Sequence, residues 1–115
     1  MASPQTPRLL GTIASLTAVN GTPSGASAGF STDYQRFVNL WLGLTGGTSV
    51  DVAVWVYRTG IGWILYADVP TTTITTTNGG GFFQLEMRGA ERIYFQFTNF
   101  VGPPTVRVVA EGVTY

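Results

Sequence analysis

Ser49-Val-Asp-Val-Ala-Val-Trp-Val-Tyr-Arg58 decides the fold. Val50, Val52, Val54 and Val56 fall on one side of an extended chain, and Asp51, Ala53, Trp55 and Tyr57 on the other. A period of two with β-branched residues on one side is the mark of a half-buried strand, because successive side chains point to opposite faces. The same reading extends outward in both directions. Upstream, Phe37 to Leu44 places Val38, Leu40, Leu42 and Leu44 on one face, and Thr45-Gly-Gly-Thr48 reads as a tight hairpin turn. Downstream, Thr59-Gly-Ile-Gly62 turns the chain and Trp63-Ile-Leu-Tyr-Ala67 returns it.

Farther out the pattern persists. Pro70 opens a threonine run, Thr71-Thr-Thr-Ile-Thr-Thr-Thr77, suited to an edge strand, and Asn78-Gly-Gly-Gly81 is a loop. Phe83, Leu85 and Met87 then point inward, with Gln84, Glu86 and Arg88 outward. After the turn Gly89-Ala-Glu91, Ile93, Phe95 and Phe97 alternate with polar or amphipathic neighbours, and Thr105 to Tyr115 closes the fold. At the other end, Arg8 to Asn20 is strand-like with a bulge expected near Gly11, and Gly21 to Gly29 is a small-residue loop. Residues 1–8 read as an extended N-terminal arm and 9–115 as one domain. The expectation is all-β: a single antiparallel β-sandwich of about eight strands, jelly-roll-like or immunoglobulin-like, joined mostly by hairpins with longer crossings at 20–30 and 98–104.

Composition narrows the function. The chain has no lysine, histidine or cysteine, so the usual general base, Schiff-base amine and thiolate nucleophile are missing, as are the commonest metal ligands. The sequence therefore reads as a non-enzyme without cofactor or metal. Asp51 and Glu86 are the carboxylates that a hydrolase reading would pair, and Asp33 and Asp68 the weak calcium candidates. Asn20-Gly-Thr22 matches a glycosylation acceptor but reads as a turn, because Met1-Ala-Ser-Pro-Gln-Thr-Pro7 lacks the charged and apolar regions of a secretory signal. Six arginines balance six acids, so no basic stripe is available for nucleic acid. No run approaches the ~18 apolar residues of a membrane helix. A neutral chain lacks the self-repulsion that keeps proteins apart, which favours association with copies of itself.

The aromatic residues carry the remaining signal. Trp41, Trp55, Tyr57 and Tyr94 stand at parities opposite the aliphatic stripe, together with Trp63, Tyr66, Phe82 and Phe100 on or beside strands. Either a bulge turns these rings into the core, or they form an exposed patch of the kind that marks interfaces and sugar platforms. Pro4, Pro7, Arg8, Trp41, Trp55, Tyr57 and Tyr94 are the interface candidates.

Phe83-Gln-Leu-Glu-Met-Arg-Gly-Ala-Glu-Arg-Ile-Tyr-Phe-Gln-Phe97 carries a resemblance as well. A strand, then Gly-x-Glu-Arg, then an Ile-Tyr-x-x-Phe strand, is similar to the C-terminal half of small virion proteins of tailed bacteriophages. The closing Val106-Arg-Val-Val-Ala110 is similar too, and together they cover about the last third of the chain. The resemblance implies a capsid decoration (cement) protein that binds the major capsid protein or another virion component. It implies a homo-oligomer, a trimer in many such families, located in the virion after assembly in the host cytoplasm. It also implies an N-terminal arm that pins neighbouring subunits, and it carries no active-site residues. The alternative expectation is a carbohydrate-binding or receptor-binding (adhesin or tail) β-sandwich module, with tryptophans stacked on sugar faces.

Overall fold

The computed structural model of the protein describes residues 6–114. Nine strands run in the order β1 (Arg8–Leu16), β2 (Phe30–Ser31), β3 (Phe37–Thr45), β4 (Ser49–Arg58), β5 (Gly62–Leu65), β6 (Thr72–Thr75), β7 (Gly80–Glu86), β8 (Arg92–Val101) and β9 (Thr105–Val113). They form two antiparallel sheets, one ordered β1-β9-β3-β7 and the other β2-β8-β4-β5, with β6 pairing alongside the first half of β4. The all-β sandwich expected from the alternating stripes is the observed fold.

The pairings select one of the two expected topologies. β1 pairs with β9, β2 with β8, β3 with β7 and β4 with β5, so the chain is one long double-stranded ribbon rolled into two sheets. Ribbon layers then meet through β3–β9 and β4–β8. That is a jelly roll, not the immunoglobulin order.

The core follows from parity. Val38, Leu40, Leu42 and Leu44 of β3 face Val50, Val52 and Val54 of β4 across the sandwich, and all are buried. Leu85, Ile93, Phe95, Phe97, Val106, Val108 and Ala110 complete the interior. Each buried Val, Leu, Ile or Phe among them contributes on the order of 1.5–3 kcal/mol of transfer free energy. Outward residues alternate with them along β3, β8 and most of β9, whereas β1 is interrupted by its register shifts.

Three expectations are corrected. Thr45–Thr48 is a tight turn with positive φ at Gly46 and Gly47, but it is not a hairpin, since β3 and β4 lie in different sheets. Both strands are aliphatic on their inner faces, and face-to-face packing buries both stripes at once. Gly47 makes the crossing possible: a Cβ there would sit 2.4 Å from the Pro104 nitrogen. Likewise 83–97 is a crossing between sheets, and among the described residues β4–β5 is the only pairing between consecutive strands. The threonine run is strand only over Thr72–Thr75, after which Thr76–Asn78 forms a 3-10 turn ended by Gly79 at φ 77°. Finally, Arg8 belongs to β1, opposite Gly112, so the segment before the sandwich ends at Pro7. The bulge expected near Gly11 is present as a register shift between Leu9 and Gly11.

Candidate interaction surfaces

The two outer faces differ because only one is covered by the chain itself. On the five-stranded sheet, Trp55, Tyr57, Trp63 and Tyr94 are half-buried on the outer side. Tyr57 and Trp63 are cross-strand partners with ring centroids 5.3 Å apart, and Trp63 meets Tyr94 edge-on at 6.1 Å. The loop 17–29 runs over this cluster and is held by donors rising from it. Tyr94 Oη donates to the carbonyls of Asn20 and Gly21, and Trp63 Nε1 donates to that of Gly25. The Arg92 guanidinium donates to the carbonyls of Ser27, Ala28 and Gly29. Trp55 Nε1 donates instead to Gln96 Oε1 at 2.9 Å. Desolvation by this cover pushes the Tyr94 hydroxyl above its ordinary pKa. Three of the rings singled out as interface candidates, Trp55, Tyr57 and Tyr94, are thus engaged within the chain.

On the four-stranded sheet the arrangement is reversed. Trp41 of β3 and Phe82 of β7 are cross-strand partners, stacked with centroids 5.1 Å apart and planes 24° apart. Trp41 is 51% exposed and Phe82 71% exposed. Val109 of β9 is the partner of Trp41 on its other side.

A third feature lies at one corner. A cleft of about 430 Å³ opens between the β4–β5 hairpin and the turn after β7, with Val56, Ile64, Leu65, Met87 and Ala90 among its lining. Ile64 pairs with Val56 and so points to the inner side of its sheet, yet it is 52% exposed. Leu65 and Ile61 beside it are 50% and 70% exposed. Arg88 stands at the rim with a positive φ of 52°, 2.6 Å from Asp68 and 3.3 Å from Glu86. Tyr66 roofs the buried side and donates to the Glu86 carbonyl, and its hydroxyl is pushed up mainly by desolvation and then by Asp68.

The remaining residues can be placed. Arg8 pairs with Asp33 at 2.5 Å, and Pro7 is exposed; Pro4 lies outside the described residues. Asp51 and Glu86 do not meet: Asp51 is on the outer side of the five-stranded sheet and Glu86 on that of the four-stranded sheet, so the hydrolase pairing is corrected. Asp51 instead accepts from Thr73 Oγ1 and Asn99 Nδ2. The Asn20 amide of the glycosylation-like triplet is bonded to β8. Sequence reading did not single out Ile61, Ile64 and Leu65, because a four-residue strand shows no alternation long enough to reveal an unfilled side.

The chain matches no family model, no curated protein and no solved structure.

Proposed function

We propose that the protein is a non-enzymatic virion structural protein, a decoration (cement) module that binds and stabilises a capsid shell as a homo-oligomer. The observation that carries this reading is the open corner of the sandwich. β5 is an edge strand with Ile64 and Leu65 half exposed, and among the described residues no strand lies beyond it in its sheet. Isolated β proteins keep such edges very short or blunt them with charge, proline or a covering segment; β5 is short, at four residues, but it carries exposed apolar side chains on both sides. This chain contains no lysine, and its own long loop blocks the opposite edge at β8 and meets β5 through the Gly25 carbonyl on Trp63 Nε1, leaving the outer edge of β5 uncovered among the described residues. A neighbouring chain that pairs with β5 and inserts an apolar side chain into the cleft would satisfy the edge and fill the corner together. The jelly-roll order and the net charge of zero agree with a packing module.

The test measures solution mass and particle binding together. The wild-type chain is expected to be a stable oligomer that decorates shells and raises their disruption temperature. Ile64→Lys is expected to give a folded monomer that no longer decorates. Deletion of residues 1–7 is expected to weaken particle binding. A wild-type monomer at high concentration that fails to bind shells would overturn the reading.

A further inference from the structure

We propose that the outer face of the four-stranded sheet is a binding site for a neutral oligosaccharide, which stacks on the Trp41–Phe82 pair and hydrogen-bonds to the polar groups on either side. This inference concerns a different face from the open corner and does not rest on the proposed function.

The strand register arranges the face as three rows across β7, β3 and β9. The first is Gln84, Asn39 and Glu111; the second Phe82, Trp41 and Val109; the third Gly80, Gly43 and Arg107. The middle row is apolar and exposed, and its two rings present a broad π surface to solvent. In the first row Gln84 Nε2 donates to Asn39 Oδ1 at 3.0 Å. That contact uses one donor and one acceptor, leaving the Asn39 amide nitrogen and the Gln84 carbonyl oxygen available outward. In the third row two glycines leave the sheet bare beside the rings, and the Arg107 guanidinium lies over Gly43.

Arg107 and Glu111 set the chemistry of the occupant. Neither side chain makes an ion pair or hydrogen bond among the described residues, although both stand on an otherwise well-satisfied surface. They are four residues apart on one strand, about 13 Å at ~3.3 Å per residue, with the apolar row between them. The ligand must therefore offer an apolar face at its centre and both donors and acceptors along its length. A polyhydroxyl ring chain does this, because its C–H faces stack on aromatics and its hydroxyls both donate and accept. Within these rows Arg107 and Glu111 cancel, and Glu86 one row beyond is paired with Arg88, so the face has no net field to attract a polyanion such as nucleic acid or an acidic glycan. A protein partner of standard size would need ~800 Å² of complementary surface. Here the continuous apolar row is Phe82, Trp41 and Val109, exposed Leu9 stands apart from it beside Glu111, and charged groups flank it.

The experiment titrates the full-length chain with neutral hexasaccharides (cellohexaose, xylohexaose, mannohexaose, maltohexaose and chitohexaose), with a polyuronate as charged control. Binding is followed by calorimetry and tryptophan fluorescence. At least one neutral hexasaccharide is expected to bind and to perturb the exposed Trp41 indole. Trp41→Ala and Phe82→Ala are each expected to weaken it about tenfold or more, with an unchanged far-UV spectrum. Arg107→Ala, at an exposed site that cannot unfold the sheet, is expected to weaken it several-fold. Failure of every neutral hexasaccharide to bind the wild-type chain overturns the proposal. So does binding that survives the Trp41→Ala/Phe82→Ala double substitution, or a preference for the polyuronate. Concentration-dependent self-association abolished by Trp41→Ala, without sugar binding, would assign the face to a second copy instead.

Discussion

The side-chain carbonyl of Asn20 accepts a hydrogen bond from the backbone N–H of Phe97 at 2.8 Å. Its Nδ2 donates to the carbonyl of Phe95 at 2.9 Å, so one amide takes both positions that a neighbouring strand would occupy. β2 covers β8 only at Arg92 and Ile93, and beyond it this edge would be bare. A single side chain from the loop 17–29 blocks the edge.

Replacing that amide separates its two roles. Asn20→Ala is expected to cost about 1–3 kcal/mol, because a part-buried donor and acceptor are left unmatched. Asn20→Asp keeps the acceptor for Phe97 but sets a carboxylate against the Phe95 carbonyl, and should not recover the loss. Denaturant midpoints of the three proteins check this, and an unshifted midpoint for Asn20→Ala refutes it.

Burial should separate two phenylalanines that look alike in sequence. Phe97 is fully buried, and Phe97→Ala is expected to lose roughly 3–5 kcal/mol through transfer and cavity terms. Phe82 loses little on truncation beyond its stack on Trp41, about 0.5–1.5 kcal/mol. Equal thermal shifts for the two variants would contradict the assigned parity of β7 and β8.

Gly47→Ala should be more damaging than an ordinary loop substitution. The position has φ 60° and its Cβ would strike the backbone of 102–104, so the sheet-to-sheet crossing must shift. Gly46→Ala has a similar φ of 67° but open space, and should cost only about 1–2 kcal/mol. Comparing unfolding midpoints of the pair isolates the steric part.

Acid should loosen the 59–61 turn first. Glu91 accepts from the Thr59 backbone N–H and then from its hydroxyl, and these bonds hold its carboxyl below the ordinary value of 4.5. A depressed carboxylate lends stability that is complete above its unfolded pKa and disappears as pH falls through the folded one. Glu91→Gln should therefore flatten the stability profile below pH 4.5. Tyr66 and Tyr94 have the opposite sign: their raised hydroxyls favour the fold below pH 10 and cease to as pH climbs through their folded pKa values. Ultraviolet titration should show two late-ionising tyrosines, absent in the denatured chain.

Strands β3, β4, β7, β8 and β9 were legible because each alternates over several residues against a sheet neighbour. β2 was not: it is two residues long and exists through pairing with Ile93 and Arg92 and through buried Thr32, whose hydroxyl donates to the Ala90 carbonyl at 2.6 Å. The turns misled for a different reason. Positive φ at Gly46 and Gly47 fixes a reversal of direction, but not whether the returning strand lies beside its predecessor or across the core from it. The cover over Trp63 and Tyr94 was hidden because the loop binds them through main-chain carbonyls, which every residue carries. Of the exposed site, Trp41 stood out by parity, whereas Asn39, Gln84, Arg107 and Glu111 acquire meaning only once the register sets them around it.

The partnership of β1 with β9 has a kinetic consequence. Synthesis delivers the first strand about ninety residues before the one it must lie against, counted from Leu16 at the end of β1 to Thr105 at the start of β9. Until then the aliphatic stripes of β3 and β4 can collapse on each other while the four-stranded sheet lacks β9, one of its two interior strands. Such non-local closure belongs to the slow regime of milliseconds to seconds, so a nascent chain leaving the ribosome would stay adhesive for most of its passage and would need dilution or a chaperone to arrive intact.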